Sequence, residues 1–201
     1  MLNSQAVSFH LGTRDIKEIP WATFQVNPQD AQELYWIHLG DLQPATLQAA
    51  SQKLSLPESL TAELTSSESI PDVDETENSL TLIVHYWEPS FSGNEAMEPR
   101  RLILYLTERF CLTIATDPIP ALEQFLRTYR REFRFAKTSN FILFLILDYL
   151  VDDFTKMLRR LDQASEEIDN KIHDHFEEHL NSEVIALKRQ IITLKNFLGA
   201  L

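Results

Sequence analysis

Glycine is scarce, with four in 201 residues. That scarcity all but excludes the glycine-rich loops that cradle phosphates and the glycine-flanked elbow that presents a nucleophilic serine. Cysteine is scarcer still. The lone Cys111 has no intramolecular disulfide partner and lies in an apolar, strand-like run, so the natural setting reads as reducing, and hence cytosolic. Positive charge is also in deficit: 18 Lys and Arg against 30 Asp and Glu leave a net charge of −12, which argues against nucleic acid as a partner. The longest apolar run, residues 141–151, is interrupted by Asp148 and at 11 residues is about half of what a bilayer crossing requires. The first 11 residues lack the basic start and apolar stretch of a secretory signal. The chain as given is expected to be soluble. Its 44% hydrophobic content is ample for a packed core in one or at most two domains.

Two compositions meet near Lys137. Turn residues and short β-type runs dominate before it, whereas the last 65 residues hold no proline and a single glycine, Gly199. Runs rich in β-branched and aromatic residues predict strands at 6–11, 23–26, 35–39, 80–87, 102–106 and 110–115. Proline in the first turn predicts helices at 44–54, 57–64 and 118–133, the last capped by Asp117. Residues 107–109 read as a hairpin turn and 90–99 as a hairpin loop. Residues 66–78 carry Glu68, Asp72, Asp74, Glu75 and Glu77 and read as a solvated connection. Closely spaced carboxylates also suit a hard cation, but the spacing and glycine of an EF-hand are missing.

From Thr138 the pattern becomes helical, with Thr138 or Ser139 as the cap. The opening, 141–151, is apolar all round and is expected to be surrounded by protein. Phe154, Leu158, Leu161, Ser165, Ile168 and Ile172 then alternate steps of 4 and 3, a coiled-coil type of seam. Asn181 and Ser182 are expected to break this helix and cap a second one carrying Val184, Leu187, Ile191, Leu194, Leu198 and Leu201. The fold class is therefore α/β: a sheet domain over residues 1–137, then a long antiparallel helical hairpin over 138–201 that packs on it. The seam is still apolar at Leu201, as in a chain that continues in the native protein.

Few residues carry chemistry. Asp148 sits within the apolar opening of the long helix, where an ionised carboxylate is costly unless it is paired or bound to a cation. Asp152 follows one turn later at i+4, and two carboxylates in that register repel unless a cation neutralises them. Oxygen ligands of this kind suit Mg²⁺ or Ca²⁺; pairing with a buried Arg or Lys is the plainer alternative. His175 and His179, also one turn apart, form half of a Zn²⁺ or Co²⁺ site or simply a solvated turn. His10, His38 and His85 alternate with apolar neighbours and read as satisfied edge or core residues. No nucleophile sits beside a histidine, so an enzyme is not expected.

The run Thr138-Ser139-Asn140 through Leu145-Ile146-Leu147-Asp148-Tyr149-Leu150-Val151-Asp152-Asp153-Phe154, with Leu187-Lys188-Arg189-Gln190-Ile191 after the hairpin, resembles the CorA family of divalent-cation transporters. Tyr35-Trp36-Ile37-His38-Leu39, Leu54-Ser55-Leu56-Pro57, Ile70-Pro71-Asp72-Val73 and Leu112-Thr113-Ile114 are similar to the family's upstream order. The resemblance implies an α/β/α cytoplasmic domain in a homopentameric channel, on the cytoplasmic face of the inner membrane. In that family Mg²⁺ between neighbouring protomers holds the pore shut, and its loss lets acidic faces repel. By the same resemblance Asp148 lines up with the aspartate of a regulatory site. Glu63 lines up with an acid of the partner helix, where the preceding family acid is Ala62 here. Asp148, Glu63 and Asp152 are thus the expected metal ligands, for Mg²⁺ or for Co²⁺, Ni²⁺ or Zn²⁺. The stalk helix, both membrane helices and the Gly-Met-Asn loop of the family have no counterpart in these residues. Transport is therefore not expected of this stretch alone. Two alternatives stand beside this reading: a related Zn²⁺ transporter of the ZntB type, which His175 and His179 favour, and a stand-alone adaptor that binds partners through its helical seams.

Overall fold

Runs of β-branched and aromatic residues need partners on both faces when every side chain in them is apolar, and the chain supplies those partners as two helical layers. The computed structural model describes residues 4–40, 43–66, 70–86, 99–174 and 180–198. Its elements are β1 (Gln5–His10), β2 (Ile16–Pro20), β3 (Glu33–Leu39), α1 (Pro44–Leu54), α2 (Glu58–Thr65), β4 (Asp72–Glu75), β5 (Ser79–Tyr86), β6 (Arg100–Thr107), β7 (Phe110–Ile114), α3 (Pro120–Glu132), α4 (Ser139–Asp174) and α5 (Leu180–Leu198). The strands form one seven-stranded sheet in the order β2-β1-β3-β7-β6-β5-β4. Only β3 and β7 pair in parallel; every other neighbouring pair is antiparallel.

The period of two sorts the central side chains between two cores. Tyr35, Ile37 and Leu39 of β3, with Leu112 and Ile114 of β7, pack under Leu47, Leu54, Leu60 and Leu64 of α1 and α2. Trp36 and Cys111 instead face Leu122 and Phe125 of α3 and Ile142, Ile146 and Leu150 of α4. The result is the expected α/β/α arrangement. The root of α4 is pinned to the β6–β7 turn, where Ser139 Oγ donates to the carbonyls of Thr107 at 2.5 Å and Glu108 at 3.1 Å. Ser139 is therefore a tether to the sheet rather than a cap. The expected turn at 107–109 is present, and Thr107 Oγ1 accepts from the N–H groups of Arg109 and Phe110.

Several local expectations fail for identifiable reasons. Residues 23–26 are not a strand: Trp21–Thr23 is a single 3-10 turn, and Phe24 drops into the core edge-on to Tyr35, with ring centroids 5.4 Å apart. Two edge strands escape the sequence reading. β2 holds a Lys, a Glu and a Pro, and β4 is Asp-Val-Asp-Glu, exposed at all four positions. Both are strands by pairing with β1 and β5, not by propensity. Helix α3 begins at Pro120 behind Ile119, with no side-chain cap; the Asp117 carboxylate accepts from Thr116 instead. Asn181 and Ser182 lie inside α5 rather than ahead of it. Residues 90–98 and 175–179, which hold most of the expected hairpin loop, His175 and His179, are outside the described residues.

The apolar opening of α4 is not enclosed. Ile142, Leu143, Leu145, Ile146 and Leu150 are buried, but Phe144 is 59% and Val151 62% exposed. Further along, the inward positions are Phe154, Met157 and Leu161, which meet Leu187 and Leu194 of α5. Leu158, placed on the seam by its spacing, points outward. Lys171 Nζ reaches Glu183 Oε2 at 2.7 Å across the two helices.

His38 and Thr113 bring buried polar groups to the α3–α4 side of the sheet. His38 is 1% exposed; its Nδ1 meets Thr113 Oγ1 at 2.9 Å, while its Nε2 has no partner. The Thr113 hydroxyl also accepts from Trp36 Nε1 at 3.2 Å and lies 3.2 Å from the Ile37 carbonyl, to which it can donate. His38 is therefore only half satisfied. Burial pushes its pKa down to about 4. A base whose folded pKa lies below its unfolded value contributes stability that is complete above about pH 6.5 and is lost as pH falls towards 4. For a shift of this size the loss is roughly 3 kcal/mol. Urea unfolding of wild type across pH 4 to 7.5 is expected to show that loss, and His38→Leu to lack it while matching wild type at neutral pH. Thr113→Val, which strands Trp36 Nε1, is expected to cost about 1–3 kcal/mol at every pH.

Candidate cation-binding surfaces

Two acidic surfaces are present, one on each helical layer. On the first layer the last turn of α2 holds Glu63, Leu64 and Thr65, and its terminal carbonyls need donors. Arg101, on the α2 side of β6, supplies them: Nη1 donates to the carbonyls of Glu63 and Ser66 at 3.1 Å each, and Nη2 to that of Leu64 at 3.4 Å. A cation at a helix C-terminus is also favourable for the macrodipole. The Glu63 carboxylate lies 3.8 Å from Arg101 Nη1, too far for a hydrogen bond, and its Oε1 has no hydrogen-bond partner. His85, paired with Arg101 across β5 and β6, shares this neighbourhood. Burial lowers its pKa, the Arg101 charge adds to the effect, and Glu63 opposes it.

Glu63 also borders a cleft of about 230 Å³ between α2 and the sheet edge, lined by Asp72, Asp74, Ser59 and Thr81 among others. The acidic segment 66–78 thus contributes carboxylates from a strand, Asp72 and Asp74 lying on one face of β4 opposite Ile83 and Thr81. Among the described residues no three His, Cys, Asp or Glu side chains come together as a metal-holding group.

The second surface is the outward face of α4. Asp148 and Asp152 are both exposed, so the burial argument for Asp148 does not hold. Among the described residues neither carboxylate has the buried Arg or Lys partner considered from the sequence. They alternate with Phe144, Val151 and Leu158, which are exposed as well, giving a face on which acids and large apolar side chains interleave. The neighbouring Asp153 is different: Lys156 Nζ binds its Oδ1 at 3.0 Å, and the side chain is nearly buried.

The fold keeps these surfaces apart. Glu63 belongs to the layer over one sheet face and Asp148 with Asp152 to the layer over the other, so within one chain the three expected ligands do not meet. Arg101, His85, Asp72 and Asp74 were not singled out as a group from the sequence. The available signal is an Arg at the start of an apolar strand run, on the same face as Ile103 and Tyr105. No described helix is long and apolar enough to cross a membrane.

Residues 31–201 match the family described as CorA-like Mg²⁺ transporter protein. The chain belongs to the CorA-like family. That family is one of transporters, not of enzymes. The CorA-like chain is 24% identical over 162 residues to the cobalt/magnesium transport protein CorA of Methanocaldococcus jannaschii, a match covering 79% of this chain and 50% of that protein. The chain therefore spans about half the length of this curated relative. Its fold is similar to the complete structure of the CorA magnesium transporter from the same organism, with a TM-score of 0.75 at 21% identity, covering 100% of this chain and 60% of that one. It is also similar to the ZntB cytoplasmic domain from Vibrio parahaemolyticus, with a TM-score of 0.73 at 15% identity, covering 99% and 76%. The α/β fold of this CorA-like chain is shared with both.

The Arg101 arrangement makes a direct expectation. Arg101→Met should destabilise the chain by about 2 kcal/mol, because charged donors leave the α2 carbonyls. Glu63→Gln should change stability by less than about 0.5 kcal/mol without added metal, since its carboxylate is only loosely paired. Thermal or urea unfolding in chelator measures both.

Proposed function

We propose that this chain is the cytoplasmic, cation-sensing part of a CorA-like transporter of Mg²⁺ or another divalent cation at the inner membrane. In this reading the full-length protein is a homopentamer and the exposed face of α4 lies between neighbouring copies. Mg²⁺ is held there by Asp148 and Asp152 of one copy together with Glu63 of the next. The observation that carries the reading is the composition of that face. Phe144, Val151 and Leu158 put three large apolar side chains on one exposed helix face, the kind of surface that marks an interaction site, and the two acids among them need a cation before like faces can approach. Membership of the CorA-like family supports it, as does the placement of Glu63 and Asp148 on opposite layers, which only a second copy can bridge.

Sensing then follows from charge. With a net charge of −12 per chain, copies repel unless cations neutralise the contact, and falling Mg²⁺ weakens it. The transported ion is the substrate of the whole protein and not a resident cofactor. The likeness to the ZntB cytoplasmic domain favours Zn²⁺ as the second candidate cation.

Sedimentation and thermal unfolding with and without Mg²⁺ test the proposal. Millimolar Mg²⁺ is expected to raise the melting temperature by a few degrees or to promote association, and the double variant Asp148→Ala, Asp152→Ala to lose most of that response. Val151→Ser is expected to weaken association at every Mg²⁺ level. A response unchanged in the double variant would remove these carboxylates as ligands. Stabilisation by micromolar Zn²⁺ but not by Mg²⁺ would transfer the reading to zinc.

A further inference from the structure

The β1–β2 hairpin closes around a histidine. Gly12 N–H and Thr13 N–H both donate to His10 Nδ1, each at 3.1 Å. Two backbone donors on one ring nitrogen require that nitrogen to be unprotonated. The proton of the neutral ring is thereby assigned to Nε2, which faces Asp30 Oδ2 at 3.4 Å. The main chain supports the same turn: His10 N–H donates to Asp15, Leu11 N–H to Gln32 and Arg14 N–H to the His10 carbonyl. Gly12 lies close to the ring: a Cβ there would meet the imidazole at 3.1 Å and the movable end of the Gln32 side chain at 2.7 Å.

This turn does something at a distance. It holds Arg14 in the left-handed region, with φ of 63°, a conformation that a long side chain adopts only when its surroundings impose it. From there Arg14 Nη1 donates to the carbonyl of Ala136 at 2.7 Å, and its guanidinium lies over the Phe9 ring. Ala136 closes the 3-10 turn Phe133–Phe135 at the corner between α3 and α4, three residues before α4 starts. The histidine turn thus presents a donor to the corner from which the long helix springs.

We propose that His10 is a proton-operated latch: bare at Nδ1 it holds the hairpin turn and the Arg14–Ala136 contact, and protonation at Nδ1 releases both. A protonated Nδ1 is a donor, so the Gly12 and Thr13 amides lose their shared acceptor. The charged groups around the ring are Asp30 of the 24–32 loop, whose Oδ2 lies 3.4 Å from Nε2, Glu33, paired with His10 across β1 and β3 and already accepting from Tyr35 at 2.7 Å, and, on the hairpin itself, Asp15 and Arg14. The proton is therefore accepted at the expense of the turn.

Nuclear magnetic resonance on this chain is the test. Above the His10 midpoint the ring is expected as the Nε2–H tautomer. On acidification the Gly12 and Thr13 amides and the Ala136 carbonyl carbon are expected to shift with the midpoint of the His10 ring. Protection of the two amides from hydrogen exchange should fall by about tenfold, the equivalent of one hydrogen bond. His10→Asn, whose side-chain oxygen accepts from the same amides without titrating, should keep the turn and abolish the shifts. An Nδ1–H tautomer at high pH, amides that ignore the His10 titration, or the same response in His10→Asn would each overturn the proposal.

Discussion

The packing of the first turns of α4 against the sheet is the constraint from which the functional surfaces follow. Ile142, Leu143, Leu145, Ile146 and Leu150 fill the core under α3, and a helix with one face fixed in this way has no freedom in what it shows on the other. Asp148 and Asp152 point outward because these residues point inward. The Ser139 tether to the Thr107 and Glu108 carbonyls adds direction, holding the start of the helix at one end of the sheet. Rotation of α4 by a third of a turn would bury a carboxylate and expose the core. Hydrophobic burial thus sets where the charges lie.

The central sheet was legible in the residues that had to be buried on both sides. Leu34 to Leu39 and Phe110 to Ile114 contain almost nothing that tolerates water, and their alternation between two cores follows from the strand period. The edges were not legible. Asp-Val-Asp-Glu in β4 has low intrinsic strand preference, and its conformation is imposed by the register with β5. Phe24 reads as part of a strand because an aromatic among apolar neighbours has no sequence mark that separates a pleated position from a plug. Spacing alone also put Leu158 on the helical seam, where Met157 is the buried residue; neither step pattern nor composition distinguishes adjacent apolar positions on a helix that meets partners on more than one side.

The candidate ligands show the same division. Asp148, Asp152 and Glu63 were reached through family resemblance and local charge, and the structure places them on two outer layers of one chain. Asp148 is exposed although its sequence surroundings are apolar, because an apolar run does not by itself require enclosure. Phe144 and Val151 are apolar and exposed, so a run that is hydrophobic all round marks either a buried helix or one with an unmet partner. Arg101 is the reverse case. A charge in a strand reads as a surface residue, yet here it satisfies the end of α2 from beneath, a role visible only once the strand and the helix are brought together in space.

The 36 residues of α4 are anchored unequally. The sheet and α3 grip only its first turns, while beyond Leu150 its buried contacts are chiefly with α5. The helix is then a long beam clamped at one end. At 1.5 Å per residue the free part reaches roughly 36 Å beyond the clamp, so a tilt of about 5° at the root carries its far end about 3 Å. With a clamp of about 17 Å and a free part of about 36 Å, a displacement beside Ser139 is roughly doubled at the tip, and any event that alters the fit of the clamp acts on the distal hairpin with that mechanical advantage.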